Sequence, residues 1–151
     1  NDKYESRQPF DYSGLLNFLA EKEALLNNTD LKTSDGEIIK EEYRNAIRLI
    51  RAGTQLQYYI QVHDDLSPKE QIHQLNELKT SLLQYLEQNK KLWSARNKSG
   101  GYERSVAPLN MLIIQIDQNI AYAEESAMAR KARRLREKIT TSAIILYLKY
   151  S

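Results

Sequence analysis

The sequence has no cysteine. That absence removes disulfide frameworks, thiolate metal sites and cysteine nucleophiles together, and leaves the cellular compartment open. Glycine and proline are scarce, five and three in 151 residues. So few breakers favour long uninterrupted helices over many short strands. No apolar run approaches the roughly 18 residues needed to cross a bilayer. A net charge of only +2 gives no global attraction for a polyanion. Also missing are the nucleophile elbow G-x-S-x-G, the phosphate-binding P-loop and the zinc-binding H-E-x-x-H. The chain opens on Asn1 with no initiator Met and no signal-peptide pattern. The expectation is a processed protein or a segment of a longer one.

What is present is helix-forming. Glu, Lys, Leu, Gln, Ala and Arg dominate, and the length suits one domain that buries roughly 70% of its unfolded surface. Residues 1–12 read as a polar lead-in, and 13–151 as a single antiparallel bundle of four to five helices, all-α apart from an undecided C-terminal segment. Leu15, Leu16, Phe18, Leu19, Leu25 and Leu26 mark a short first helix, ended by Asn27-Asn28-Thr29-Asp30. Ser34-Asp35-Gly36-Glu37 has capping-box spacing and predicts the second helix start at Ser34. Ile39, Tyr43, Ala46, Ile50, Gly53, Gln57 and Ile60 share one stripe, read as its buried side, with Ala46 and Gly53 small enough to admit a close neighbour.

The third helix has the clearest start. In Ser67-Pro68-Lys69-Glu70, Ser caps, Pro takes the first helical position and Glu answers three residues beyond the cap. It runs to about Asn97, with Leu75, Leu78, Leu82, Leu86 and Trp93 inward. A fourth helix is expected to begin between Tyr102 and Ser105, with Ser105 as cap so that Pro108 falls in the first turn. Its core stripe is Leu109, Leu112, Ile113, Ile116, Ile120 and Ala123. The β-branched stretch 139–148 fits either a last strand or a buried helix segment.

Few residues suggest chemistry. Arg130, Lys131, Arg133, Arg134, Arg136 and Lys138 form a basic run with one interposed acid, so the rest of the chain is net acidic. A helix face of this kind can contact phosphates of nucleic acid or lipid headgroups, or an acidic neighbour. It is equally an ordinary solvated face. Without a nucleic-acid motif or interleaved aromatics, a nucleic-acid partner is not the expectation. His63, Asp64, Asp65 and His73 match no metal-ligand spacing, so no metal or cofactor is expected. The carboxylate pairs Glu41-Glu42, Asp64-Asp65 and Glu124-Glu125 are sequence neighbours, which diverge on a helix and read as surface charge. Among ten Tyr, Tyr58, Tyr59 and Tyr102, with Trp93, could stack on sugar rings. The competing reading places such rings at the core margin with the hydroxyl wet.

The densest constellation is Trp93-x-x-Arg96-Asn97-Lys98-Ser99-Gly100-Gly101-Tyr102-x-x-Ser105, between the two longest helical patterns. Adjacent glycines can adopt the left-handed conformation that ends a helix, and Arg96 and Lys98 suit its negative C-terminal end. The string resembles W-x-x-R-N-[RK]-P-G-G-L-x-x-S in the helical C-terminal region of β-N-acetylhexosaminidase-like glycoside hydrolases. Asp35-Gly36-Glu37 with Glu42, Ala46 and Leu49-Ile50 is similar to an upstream helix of that region. Ser99 stands where the pattern has Pro, and Tyr102 where it has Leu.

The resemblance implies a non-catalytic accessory domain of a bacterial, secreted or periplasmic carbohydrate-active enzyme. The family's catalytic carboxylates lie in a separate (β/α)₈ barrel, so no catalytic residue carries over and the fragment itself is not expected to be an enzyme. The barrel of the same polypeptide is the implied partner, with carbohydrate contact as an open addition. Trp93, Arg96, Asn97, Gly100, Gly101, Tyr102 and Ser105 become structural positions. Arg96 and Asn97 would satisfy carbonyls or meet an acidic group, and Arg96, Asn97 and Tyr102 would lie at the barrel interface.

Overall fold

The computed structural model describes residues 11–96 and 100–150, and side-chain surroundings through residue 135. Four helices follow in order: α1 (Tyr12–Asn27), α2 (Gly36–Val62), α3 (Pro68–Arg96) and α4 (Tyr102–Tyr150), with a 3₁₀ turn at His63–Asp65. The described residues contain no strand. Neighbours in sequence are neighbours in space, each pair antiparallel. Arg51 meets Glu23 across α1 and α2, Asn45 Nδ2 donates to the Tyr85 carbonyl across α2 and α3, and Lys79 pairs with Asp117 across α3 and α4.

The expected start of α3 is realised. Ser67 N–H donates to Glu70 Oε2 (2.8 Å) and Glu70 N–H to Ser67 Oγ (3.4 Å), so two helix-end donors are satisfied reciprocally. These bonds hold the Glu70 carboxyl below its ordinary pKa. Leu75, Leu78 and Leu82 of α3, Ala52 of α2 and Ile116 of α4 form the buried core. α3 is therefore the central rod. Truncating a core Leu in such a setting costs roughly 2–5 kcal/mol.

Three expectations are corrected. The second helix begins at Gly36 with Asp35 at its N-cap, and no side chain caps it. The capping box at Ser34 does not form: Asp35 takes the N-cap, Glu37 pairs with Lys40, and the Asp35 carboxylate bonds Arg96. Ser105 is not the cap of the fourth helix either. α4 starts at Tyr102, so Ser105 sits in its first turn with Oγ donating to the Tyr102 carbonyl, and Pro108 lies past that turn. The Arg104 carbonyl thereby loses its helical N–H partner.

The third correction concerns α2. Its expected buried stripe faces outward: Tyr43 is 62% exposed, Ile50 47% and Ile60 51%, and Ala46, Gly53 and Gln57 are exposed with them. The reason is that α2 has neighbours on two sides. The row containing Ile47 and Thr54 turns toward α1, and the row with Asn45, Ala52, Leu56 and Tyr59 turns toward α3 and α4. The apolar stripe falls in the wide gap between these rows. Finally, α4 continues as helix through 139–148, which settles that stretch against a strand.

Candidate functional site

The corner between α3 and α4 assembles the constellation that the sequence marks. Gly100 and Gly101 have φ of 133° and 80°, and among the described residues no other position has positive φ. The chain reverses there because glycine carries no Cβ to oppose that conformation. The reversal lays the Tyr102 ring edge-on against Trp93, with centroids 5.9 Å apart and planes at 65°. Tyr102 Oη donates to the Leu86 carbonyl at 2.9 Å, one turn and more back along α3. Burial raises the pKa of that hydroxyl, and the nearby Glu103 charge adds to it, so it stays protonated and able to donate.

Arg96, the last residue of α3, reaches across to the start of α2. Its Nε and Nη2 donate to the two oxygens of Glu42 (2.8 and 3.1 Å), while Nη1 donates to Asp35 Oδ2 (2.8 Å). A planar guanidinium with five donors serves two carboxylates at once in a way that an ammonium cannot. The Arg96 bond, with a further one from Thr33, holds the Asp35 carboxyl below its ordinary pKa. Glu42 and Asp35 raise that of Arg96 in turn. The carboxylate pair Glu41-Glu42 does diverge, with Glu41 turning to Arg44 and Gln88.

Beside this fork lies an open cleft of about 260 Å³ between α2 and α3, bordered by Asn45, Leu49, Tyr85, Asn89 and Trp93. Trp93 Nε1 and Asn45 Oδ1 are shielded from solvent and find no hydrogen-bond partner among the described residues. Among the described residues that line the cleft the one carboxylate, Glu42, is committed to Arg96. The geometry is that of a clamp holding two helix ends together.

The other sequence candidates are dispersed. Asn97 lies outside the described residues. Tyr58 packs edge-on against Tyr12, and Tyr59 lies tilted against His63, at the opposite end of α2 from Trp93 and Tyr102. The four aromatics share no surface that could cradle a sugar. His63 Nδ1 contacts the Ile60 carbonyl and its Nε2 lies near Asp64, whereas His73 pairs with Glu77 one turn along α3. The described residues hold no group of three or more metal-ligating side chains. Arg130, Lys131, Arg133 and Arg134 are exposed on α4 beyond the bundle. Arg136 and Lys138 continue the helix, and their side chains lie outside the described set. What the sequence did not single out as a pair is Asp35 with Glu42, joined by one guanidinium across 61 and 54 residues.

Fold and corner together define an all-α bundle domain whose one densely built feature is a helix-to-helix clamp. No family profile, curated protein or solved structure matches this chain. Among the described residues no helix is long and apolar enough to cross a membrane.

Proposed function

We propose that this chain is a non-catalytic accessory domain of a hexosaminidase-type glycoside hydrolase, and that it supports a separate catalytic barrel of the same polypeptide. The observation that carries the reading is the outward stripe of α2. Tyr43, Ile50 and Ile60 stand exposed around a trough at Ala46 and Gly53. Gly53 lies mid-helix, where it costs about 1 kcal/mol relative to Ala. Nothing within 4 Å would meet a Cβ there, so no contact among the described residues calls for glycine. A close-packed external surface would account for it. The clamp gives further support, because it joins the two stretches that resemble the enzyme family, 35–50 and 93–105.

The test pairs this chain with the polypeptide that contains it. The isolated chain should leave an aryl N-acetylhexosaminide unhydrolysed, while the parent polypeptide turns it over. Placing Leu at Gly53 should lower the parent's melting temperature without unfolding the isolated chain. Hydrolysis by the isolated chain, or a parent indifferent to Gly53→Leu, would refute the proposal.

A second reading has its own observation. Every residue from Met128 to Leu135 is exposed, and four of the eight are cationic. On this reading the chain is an independent interaction module whose basic helix binds an acidic partner. Salt-sensitive retention on heparin, lost when Arg133 and Arg134 become Ala, would favour it.

A further inference from the structure

α4 is longer than the bundle that supports it. It has 49 residues against 29 in α3, about 73 Å against about 44 Å at the standard rise. Ala123 is buried and Ser126 and Ala127 are half-buried, after which every described residue is exposed. The helix therefore leaves the bundle at Met128 as an arm. Isolated helices draw most of their stability from packing, and the arm's sequence includes the poor helix formers Ile139-Thr140-Thr141. A second helix packed along it would supply the packing that the arm lacks.

One row on the outward face of α4 indicates which helix. Met111, Ile114, Gln118, Ala121, Glu125, Met128, Ala132 and Leu135 are all exposed and step by alternating threes and fours. Ile114, Ala121, Met128 and Leu135 stand seven apart, and Met128 and Leu135 are 67% and 58% exposed. This is the spacing of a two-helix seam. The charge along the helix is segregated. Between Ser105 and Ala129 there are three acids, Asp117, Glu124 and Glu125, and no cation. From Arg130 to Lys138 there are six cations and one acid. A parallel copy would set the cationic block against itself. An antiparallel copy instead brings the near end of that block beside Glu124 and Glu125, and its far end beside Asp117, which Lys79 of its own chain already pairs.

We propose that the chain forms a two-fold dimer through α4, with the arm of each copy lying antiparallel on the outward face of the other copy's α4. With the axis between Ser126 and Ala127, Ala121 faces Ala132 of the second copy, Gln118 faces Leu135, and Glu125 faces Met128. The same register brings Glu124 beside Lys131 on the seam's flank. Gln118 and Glu125 meet apolar partners in this register and lower its stability, so the register is set by the flanking Glu124–Lys131 pairs. Such self-pairing is isologous and closes on itself, so it yields a dimer and not a filament. It is independent of the accessory-domain reading and uses a different helix.

Sedimentation equilibrium of the full 151-residue chain across a wide concentration range tests this. A monomer–dimer equilibrium approaching twice 17.6 kDa is expected. Met128→Asp should leave only monomer, with helical content checked by circular dichroism. Lys131→Glu should weaken the dimer, and adding Glu124→Lys should restore it. The absence of native cysteine makes orientation directly readable. Gln118→Cys combined with Leu135→Cys should cross-link two chains, whereas Leu135→Cys alone should not. A chain that stays monomeric throughout overturns the proposal, as does a dimer indifferent to Met128→Asp or one cross-linked by Leu135→Cys alone. A monomer that instead binds anionic phospholipid vesicles through Arg133 and Arg134 would also overturn it, and would assign the arm to phosphates.

Discussion

Two residues at the corner can be tested singly. Gly101 has φ of 80°, and a Cβ there would meet Trp93 Cζ2 at 3.6 Å, an ordinary contact. The obstacle to substitution is thus backbone conformation, not space. Gly101→Val should destabilise by roughly 1–3 kcal/mol, and Gly101→Asn by less, since Asn tolerates the left-handed region. Thermal unfolding of the two variants checks the order. Asp35 supplies a pH test. Its folded pKa is lowered, chiefly by Arg96. Its contribution is therefore complete above the unfolded carboxyl pKa of about 4, and is lost as pH falls through the lower folded value. The melting temperature of Asp35→Asn should fall less steeply than the parent's across that acidic window, and the two curves should converge at its lower end.

At the level of elements, legibility in the sequence depended on how local the determining contact was. The start of α3 could be read because Ser67, Pro68 and Glu70 settle it among themselves. At the start of α2 the S-x-x-E spacing is present, yet Glu37 pairs with Lys40 and the Asp35 carboxylate answers to Arg96, 61 residues away, a pairing that leaves no local trace. The buried side of α2 was misjudged for a related reason. Periodicity finds an apolar stripe but cannot say whether the neighbour that covers it belongs to the same chain. The residues of the corner were legible, since a lone Trp, a diglycine and Tyr102 are conspicuous, but the carboxylates completing the clamp had to come from the fold. The α2 stripe gives its own prediction. In the isolated chain Gly53→Ala should raise stability by up to ~1 kcal/mol, measured by urea unfolding, because it improves helix propensity in open space.

For the whole molecule, the core lies between α2, α3 and the first half of α4, from Val106 to Ala123. The arm adds no described contact to that core. Removing residues 129–151 should therefore leave the unfolding midpoint of the dilute chain within a few degrees of the parent's, while abolishing any dependence of that midpoint on protein concentration. Differential scanning fluorimetry at several concentrations separates the two effects.

Trp93 is the single tryptophan of the chain, and the structure places it where α3, the diglycine turn and Tyr102 converge. Its emission is consequently a local optical gauge, blind to the distant end of the bundle, while ellipticity sums over all four helices. If acid frees Arg96 from Asp35 before the rods separate, the fluorescence maximum will shift to longer wavelength while helical signal is still intact. The order in which the two signals change would time the opening of the corner against the melting of the rest, with no label added.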